Sequence, residues 1–416
     1  MERLQLPLSR AGFLPKGKID GIFGPVTKAA LMRFQTANSL KPDGLAGPLT
    51  QRALRPWLVG YVTVTVKPGD TMYRIAKNYS ADLAQVLAAN PALDPRNIPI
   101  GYKLTVPLRF DVVPDCISFT STLLGYCIEG LKARYPFIRI ASAGKSVMGR
   151  ELNYIVVGDD PNKLFLNAAH HANEWITSLF AMRFLEDYLK AISSGNAFFG
   201  YDAAALYSSV SFICLPMVNP DGVDLVTGEI APGSDIYENA LAMNYPGLPF
   251  PEGWKANIEG IDLNLQYPAG WETARRIKFE QGYTRPGPRD YVGAAPLVAP
   301  ESEAVYSMTK ASDFALTLSY HTSGEIIYWK YDGFEPPGSL SIGEELSKVS
   351  GYPLELTPDA SGYAGYKDWF IQEFDRPGYT VEAGSGTSPV SLDQFSRIYS
   401  ANAPLVLSAL EIVSYK

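Results

Sequence analysis

Leu164-Phe165-Leu166-Asn167-Ala168-Ala169-His170-His171-Ala172-Asn173-Glu174-Trp175-Ile176-Thr177 is the stretch that decides how this chain folds. Its front half is an apolar run read as a strand over 164–169. Its back half opens an apolar-periodic segment read as a helix over 174–190. The junction carries two of the three histidines in 416 residues. The third, His321, closes another apolar run, Phe314 to Tyr320, also read as a strand. His171 and Glu174 lie three apart at a strand-to-helix junction, so their side chains can converge, and His321 can arrive from the second strand. Two imidazoles and one carboxylate suit an open zinc site with water in the fourth position. Zinc there lowers the pKa of its water from about 15.7 to about 7, so the pattern implies a metal-dependent hydrolase.

Outward from this junction, the segment 112–416 alternates helices and apolar strands. Helices are expected over 118–133, 174–190 and 404–414. Strands are expected over 152–157, 164–169, 210–218, 314–320 and 378–382. This reads as an α/β domain with a mixed sheet, whose strand ends gather the functional groups.

The front of the chain reads differently. Residues 1–108 carry 14 Lys and Arg against 6 Asp and Glu, whereas the remainder carries 22 against 37. A basic front on an acidic body suits an anionic partner or simply a solvated surface. Asp20-Gly21-Ile22-Phe23-Gly24-Pro25-Val26-Thr27 recurs as Asp43-Gly44-Leu45-Ala46-Gly47-Pro48-Leu49-Thr50, each copy a glycine turn leading into a helix. Residues 61–108 read strand, helix, helix, strand: Gly69-Asp70-Thr71 starts the first helix and Asn90-Pro91 ends the second. No apolar run is long enough to span a membrane. The first residues lack the apolar core of a secretory signal, so a cytoplasmic, spore or mother-cell location is expected, or the cell wall if a leader has been removed. Cys116, Cys127 and Cys214 are too few for a disulfide framework and are expected as buried free thiols.

Three resemblances sharpen these readings. Residues 1–56 resemble the peptidoglycan-binding-1 module, a small three-helix unit, through the Asp-Gly-x-x-Gly-Pro-x-Thr run. Residues 60–108 resemble the βααβ LysM domain, which implies binding of N-acetylglucosamine-containing glycans. The Ala-His-x-x-Glu-Trp-Ile-Thr flanks, Gly144-Lys145-Ser146-Val147-Met148-Gly149-Arg150 and Asn219-Pro220-Asp221-Gly222 make 112–416 similar to the zinc carboxypeptidases, the clan of carboxypeptidase A.

That last resemblance implies one zinc ion held by His171, Glu174 and His321. His170 is then a packed or hydrogen-bonding neighbour. It also implies Glu382, in Tyr379-Thr380-Val381-Glu382, as general base, Asp262 as the carboxylate that orients a zinc histidine, and Lys255 after Trp254 in the place of an oxyanion-stabilising arginine. Asn264 matches a substrate-contacting asparagine. Lys367 falls at a position that sets leaving-side specificity. The family's loop tyrosine falls on Tyr363 or Tyr366, and spacing does not choose between them.

One departure matters most. The arginine that clamps a substrate's terminal carboxylate is here Leu265, which cannot form a bidentate pair. Ordinary trimming of C-termini is therefore not expected. Together with the front modules, this implies a zinc peptidase that cuts between γ-linked D-glutamate and the diamino acid (meso-diaminopimelate) of peptidoglycan stem peptides, as in sporulation or muropeptide recycling. The alternatives are a muropeptide D,L- or L,D-carboxypeptidase, or an inactive wall-binding protein. Glycan and stem peptides are the expected partners and nucleic acid is not. The oligomeric state stays open.

Overall fold

The computed structural model describes residues 1–415. It divides into two compact units, the first formed by Met1–Ser118 with Thr122–Phe137 and the second by Phe119–Ser121 with the chain from Ile138 onward.

The first unit opens with helices Glu2–Arg10, Pro25–Ala37 and Pro48–Val59 around Leu8, Leu31, Phe34 and Leu54. The sequence echo has a physical counterpart. Buried Gln5 donates to Asp20, the Ile22 carbonyl and Thr27, and accepts from the Asp20 and Gly21 amides. Gln35 repeats the device on Asp43, the Leu45 carbonyl, Thr50 and the Gly44 amide. Each glutamine thus satisfies a tight turn whose backbone groups would otherwise lack partners. The proline of each copy starts a helix, where its missing N–H costs nothing.

Next, strands β1 (Tyr61–Thr65) and β2 (Lys103–Pro107) pair antiparallel, flanking helices Met72–Asn78 and Leu83–Ala88. Thr71 caps the first helix by accepting the Arg74 amide, and Asp82 caps the second. Asn90 staples the second helix to β2, donating to the Val86 and Thr105 carbonyls and accepting the Thr105 amide. The helix Ser121–Arg134 also packs within this unit from Thr122 on. Its Arg134 guanidinium donates to the Gly60 and Leu108 carbonyls at 2.7 and 2.8 Å. Compactness therefore divides the chain later than residue 112.

The second unit contains β3 (Arg139–Lys145), β4 (Glu151–Val157), β5 (Lys163–Ala168), the small hairpin β6 (Ala197–Phe198) and β7 (Tyr201–Asp202), β8 (Ser211–Leu215), β9 (Leu316–His321), β10 (Ile326–Tyr328), β11 (Leu354–Glu355) and β12 (Gly378–Glu382). Eight of these form one mixed sheet in the order β11-β10-β12-β9-β5-β8-β4-β3. The run β12-β9-β5-β8 is parallel, and its strands are almost wholly buried, as both-face coverage demands. The carboxyl ends of these four strands lie at one edge, which is where an open α/β sheet presents its chemistry.

Two motifs from the sequence meet here. Arg150 pairs with Asp221, and with Asp224 at 3.0 Å, joining the Gly-x-Ser-x-x-Gly-Arg and Asn-Pro-Asp-Gly segments. Gly144 is needed because a Cβ there would lie 2.7 Å from that of Ala304.

Some expectations shift. The last helix begins at Phe395, not Pro404, and carries Pro404 in its interior. Burial of Phe395, Ile398 and Asn402 outweighs the hydrogen bond that proline removes. Cys116 is exposed, so only Cys127 and Cys214 are buried, and no disulfide joins the three among the described residues. Among the described residues no helix is long and apolar enough to cross a membrane.

Candidate functional site

The chain leaves β5 through Ala169, whose φ of 50° is left-handed. A non-glycine residue holds this conformation only when its surroundings fix it. Thr177 does so: its hydroxyl accepts the Ala169 amide at 3.0 Å and donates to the Glu174 carbonyl at 2.7 Å. The Thr that ends the sequence motif thus closes the turn that aims His171 and Glu174. A 3-10 turn, Ala172–Glu174, then leads into the helix Ile176–Ser194.

Three donor atoms converge. His171 Nδ1 lies 2.9 Å from Glu174 Oε1, His321 Nδ1 lies 2.9 Å from Glu174 Oε2, and the two Nδ1 atoms are 3.2 Å apart. All three residues are buried. Tetrahedral zinc with bonds near 2.0–2.1 Å sets its ligands roughly 3.3 Å apart, so the spacing fits such an ion. The tautomer fits as well. His171 Nε2 donates to Asp262 Oδ1 at 3.1 Å, which leaves the Nδ1 lone pair facing its partners. Burial disfavours an imidazolium, yet Glu174 outweighs it and lifts His171 to about 9. A divalent cation bound by the same atoms would take the place of that proton on Nδ1.

Glu382 ends β12, and its Cα is in register with His321 on the neighbouring parallel strand, so both side chains share a sheet face. Burial, reinforced by Glu174, pushes the Glu382 carboxyl up to about 8, against the pull of Lys255 and His171. Lys255 lies with Nζ 3.5 Å from Glu174 Oε1. Burial opposes its charge, but Glu174 and Asp262 more than offset this, and its pKa is raised. Its backbone is fixed on both sides, by the Ala172 amide and the Pro288 carbonyl.

These groups line a cleft of about 240 Å³ together with Asn264, Leu265, Lys367, Asp368 and Thr380. Asn264 Oδ1 accepts the Tyr366 amide at 3.0 Å. Leu265 packs with Trp271, Ala274, Val292 and Ala364. Lys367 is buried, with its ammonium against Asp368 at 2.6 Å, the Lys330 carbonyl at 2.7 Å and Thr357 at 3.3 Å. Tyr366 is wholly buried, 3.1 Å from the Thr309 hydroxyl, and lies outside the cleft lining. Tyr363 is half-buried against Tyr331 and also lies outside it. His170 contacts the Tyr267 hydroxyl at 2.9 Å. Sequence reasoning passed over Lys278, Arg289 and Asp290, which share the cleft wall. They follow no spacing rule, and only the loop Gly287-Pro288-Arg289-Asp290 could have drawn attention to them.

Residues 126–391 match the family profile described as zinc carboxypeptidase. The chain belongs to that family. Membership of the family implies zinc, and His171, Glu174 and His321 are a group that could bind it. Residues 1–54 match a putative peptidoglycan binding domain and residues 64–107 a LysM domain. These two domains imply peptidoglycan binding and suggest association with the cell wall.

Among its relatives is gamma-D-glutamyl-L-diamino acid endopeptidase 1 of Lysinibacillus sphaericus, 42% identical over 283 residues, 68% of this chain and 70% of that protein. An uncharacterized Bacillus subtilis (strain 168) protein, YqgT, is 38% identical over 282 residues, 66% of this chain and 73% of that one. The carboxypeptidase A structure from Helicoverpa armigera superposes with a TM-score of 0.52 at 18% identity, covering 83% of this chain and 81% of that one. That likeness speaks to the fold.

Proposed function

We propose that this chain hydrolyses the bond between γ-linked D-glutamate and the L-diamino acid of peptidoglycan stem peptides. The observation that carries the reading is Leu265, packed into an apolar cluster where a chain-end clamp would stand, beside a complete His-Glu-His cluster. A cleft without that clamp has no reason to select a free C-terminus and can pass a residue whose carboxyl is amide-bonded. The peptidoglycan-binding and LysM matches, and the name of the Lysinibacillus relative, support the same substrate.

His171, Glu174 and His321 would hold zinc, which when bound acidifies water and polarises the scissile carbonyl. Asp262 fixes the His171 ring. Glu382 takes a proton from the attacking water and returns it to the leaving amine as the C–N bond breaks. The Lys255 ammonium stabilises negative charge growing on the carbonyl oxygen. The products are a free γ-carboxylate on D-glutamate and a free amine on the diamino acid. Asn264 lines the cleft as a substrate contact. Lys367 acts through the wall it builds with Asp368, and of the two candidate loop tyrosines Tyr363 is the more accessible, being half-buried where Tyr366 is wholly buried.

The test is mass spectrometry of L-Ala-γ-D-Glu-meso-diaminopimelate-D-Ala after incubation with zinc-loaded protein, beside Glu382→Gln. Release of L-Ala-D-Glu, lost in the variant, is the expected result. Release of D-Ala alone would overturn the reading, as would an intact peptide.

A further inference from the structure

The cleft that lacks an arginine at position 265 has one elsewhere. Four cationic side chains line it, and three are already matched: Lys255 lies beside Glu174, Lys278 donates to Asp290 Oδ1 at 2.7 Å, and Lys367 is held by Asp368 and two oxygen acceptors. Arg289 differs. Its Nε donates to Asp290 Oδ2 at 2.7 Å, and this is its side-chain hydrogen bond among the described residues. Its two terminal nitrogens keep their N–H groups for a ligand. The side chain is 41% exposed, so the fork is reachable from solvent.

The fork is also anchored. Asp290, which orients it, sits at φ 66°, a left-handed conformation that needs support in a non-glycine residue. Support comes from both ends: the Lys278 ammonium on its side chain, and its own amide donating to Asp262 Oδ2 at 3.2 Å. Asp262 uses its other oxygen on His171. One chain of hydrogen bonds therefore runs from the metal-binding cluster through Asp262 and Asp290 to Arg289. A carboxylate gripped by Arg289 is held at a fixed place relative to the scissile bond.

Resting on the proposed peptidase reading, we infer that Arg289 is the substrate carboxylate clamp of this cleft, relocated from position 265. A guanidinium binds a carboxylate through two parallel N–H···O bonds, which an ammonium cannot reproduce. The stem tetrapeptide offers three sources of that carboxylate: the α-carboxylate of D-glutamate, the distal carboxylate of the diamino acid, and the terminal carboxylate of D-alanine.

The experiment measures kcat/KM for zinc-loaded wild type, Arg289→Ala and Arg289→Lys on the parent tetrapeptide and three analogues. The analogues carry D-isoglutamine, L-lysine in place of meso-diaminopimelate, or D-alaninamide. Metal content and melting temperature are recorded for each protein, and Arg289→Lys serves should the alanine variant fold poorly. For charged hydrogen bonds lost from a solvent-reachable guanidinium, the wild type should lose roughly 10- to 100-fold on one analogue, mostly in KM. Arg289→Ala should fall to a similar level on the parent and discriminate against that analogue by less than about threefold. Arg289→Lys should fall between. Full discrimination retained in the variants, or an equal loss on all four substrates, overturns the clamp. Wild-type cleavage at a different bond overturns instead the reading on which it rests, and the clamp with it.

Discussion

Replacing Asp262 tests whether the carboxylate behind His171 sets the metal affinity of the cluster. Three donors depend on it: His171 Nε2 at 3.1 Å and the Asn264 amide at 3.2 Å on Oδ1, and the Asp290 amide at 3.2 Å on Oδ2. In Asp262→Asn the oxygen can keep His171 and Asn264, but the new amide group faces the Asp290 N–H, donor against donor. The negative charge that strengthens the imidazole is also gone. Asp262→Ala strands all three donors in a site that is only 4% exposed. Loss of such an outer partner weakens metal binding about 10- to 100-fold, so the asparagine variant should sit near the lower figure and the alanine variant near the upper. In free energy that is about 1.4 to 2.7 kcal/mol. The same amount should vanish from the stabilisation that saturating zinc confers, because zinc binds only the folded site. Two assays read it: zinc competition against a chromophoric chelator, and the difference in melting temperature with zinc and with EDTA. For a unit of this size that difference should shrink by roughly 3–6 °C. Zinc affinity within twofold of wild type in both variants would refute the reasoning and leave Asp262 as a scaffold for the Asp290 loop alone.

Other expectations follow from single groups. Lys255→Met should lower kcat on the tetrapeptide by about 10²- to 10³-fold with zinc content unchanged, since the ammonium acts on developing charge; steady-state kinetics with metal analysis checks it. Glu301 is held at about 7, chiefly by burial and also by Asp221, despite hydrogen bonds from Val147 and Asn257. A raised carboxyl pKa means the folded state binds the extra proton, so this contribution is full below about 4.5 and is lost as pH rises to about 7. On the order of 3 kcal/mol should disappear across that window in wild type relative to Glu301→Gln, read by urea unfolding at pH 4.5 and 7. Gln35→Ala removes four hydrogen bonds from one glycine turn. It should destabilise the front module by about 2–4 kcal/mol and weaken pelleting with purified peptidoglycan, while hydrolysis of the soluble tetrapeptide stays unchanged.

The parts of this molecule that could be read from sequence are those with a local physical signature. Buried parallel strands such as β5, β9 and β12 announce themselves as apolar runs, and the His-x-x-Glu spacing needs only one turn of chain to become a chelate. The repeated glycine turns were equally plain, although the glutamines that hold them were not. Gln5 and Gln35 sit 15 and 8 residues before the aspartates they bind, with nothing in their flanks to mark them. Edge strand β3 escaped because Ala141, Ser142 and Gly144 give a half-exposed strand no apolar alternation. The Arg289-Asp290 loop escaped for a deeper reason. Its meaning depends on a contact with Asp262, 28 residues away, and on which of four cations is left uncommitted, and neither is a property of any window of sequence.

The leucine at 265 is therefore more than a missing arginine. The residue is 8% exposed and packs with Trp271, Ala274, Val292 and Ala364, so the neighbourhood is an apolar wall. Restoring arginine there would place a guanidinium in a packed apolar cluster, at a cost in desolvation. A cleft with its charge at 265 rewards a free chain end at the leaving residue and penalises an amide there. Moving the charge to Arg289 removes that penalty while keeping one strong ionic handle, and its tether to Asp262 keeps the handle in register with His171. The specificity difference between trimming a chain end and cutting within a branched peptide would then come from where one guanidinium is anchored, with the hydrolytic cluster itself unchanged.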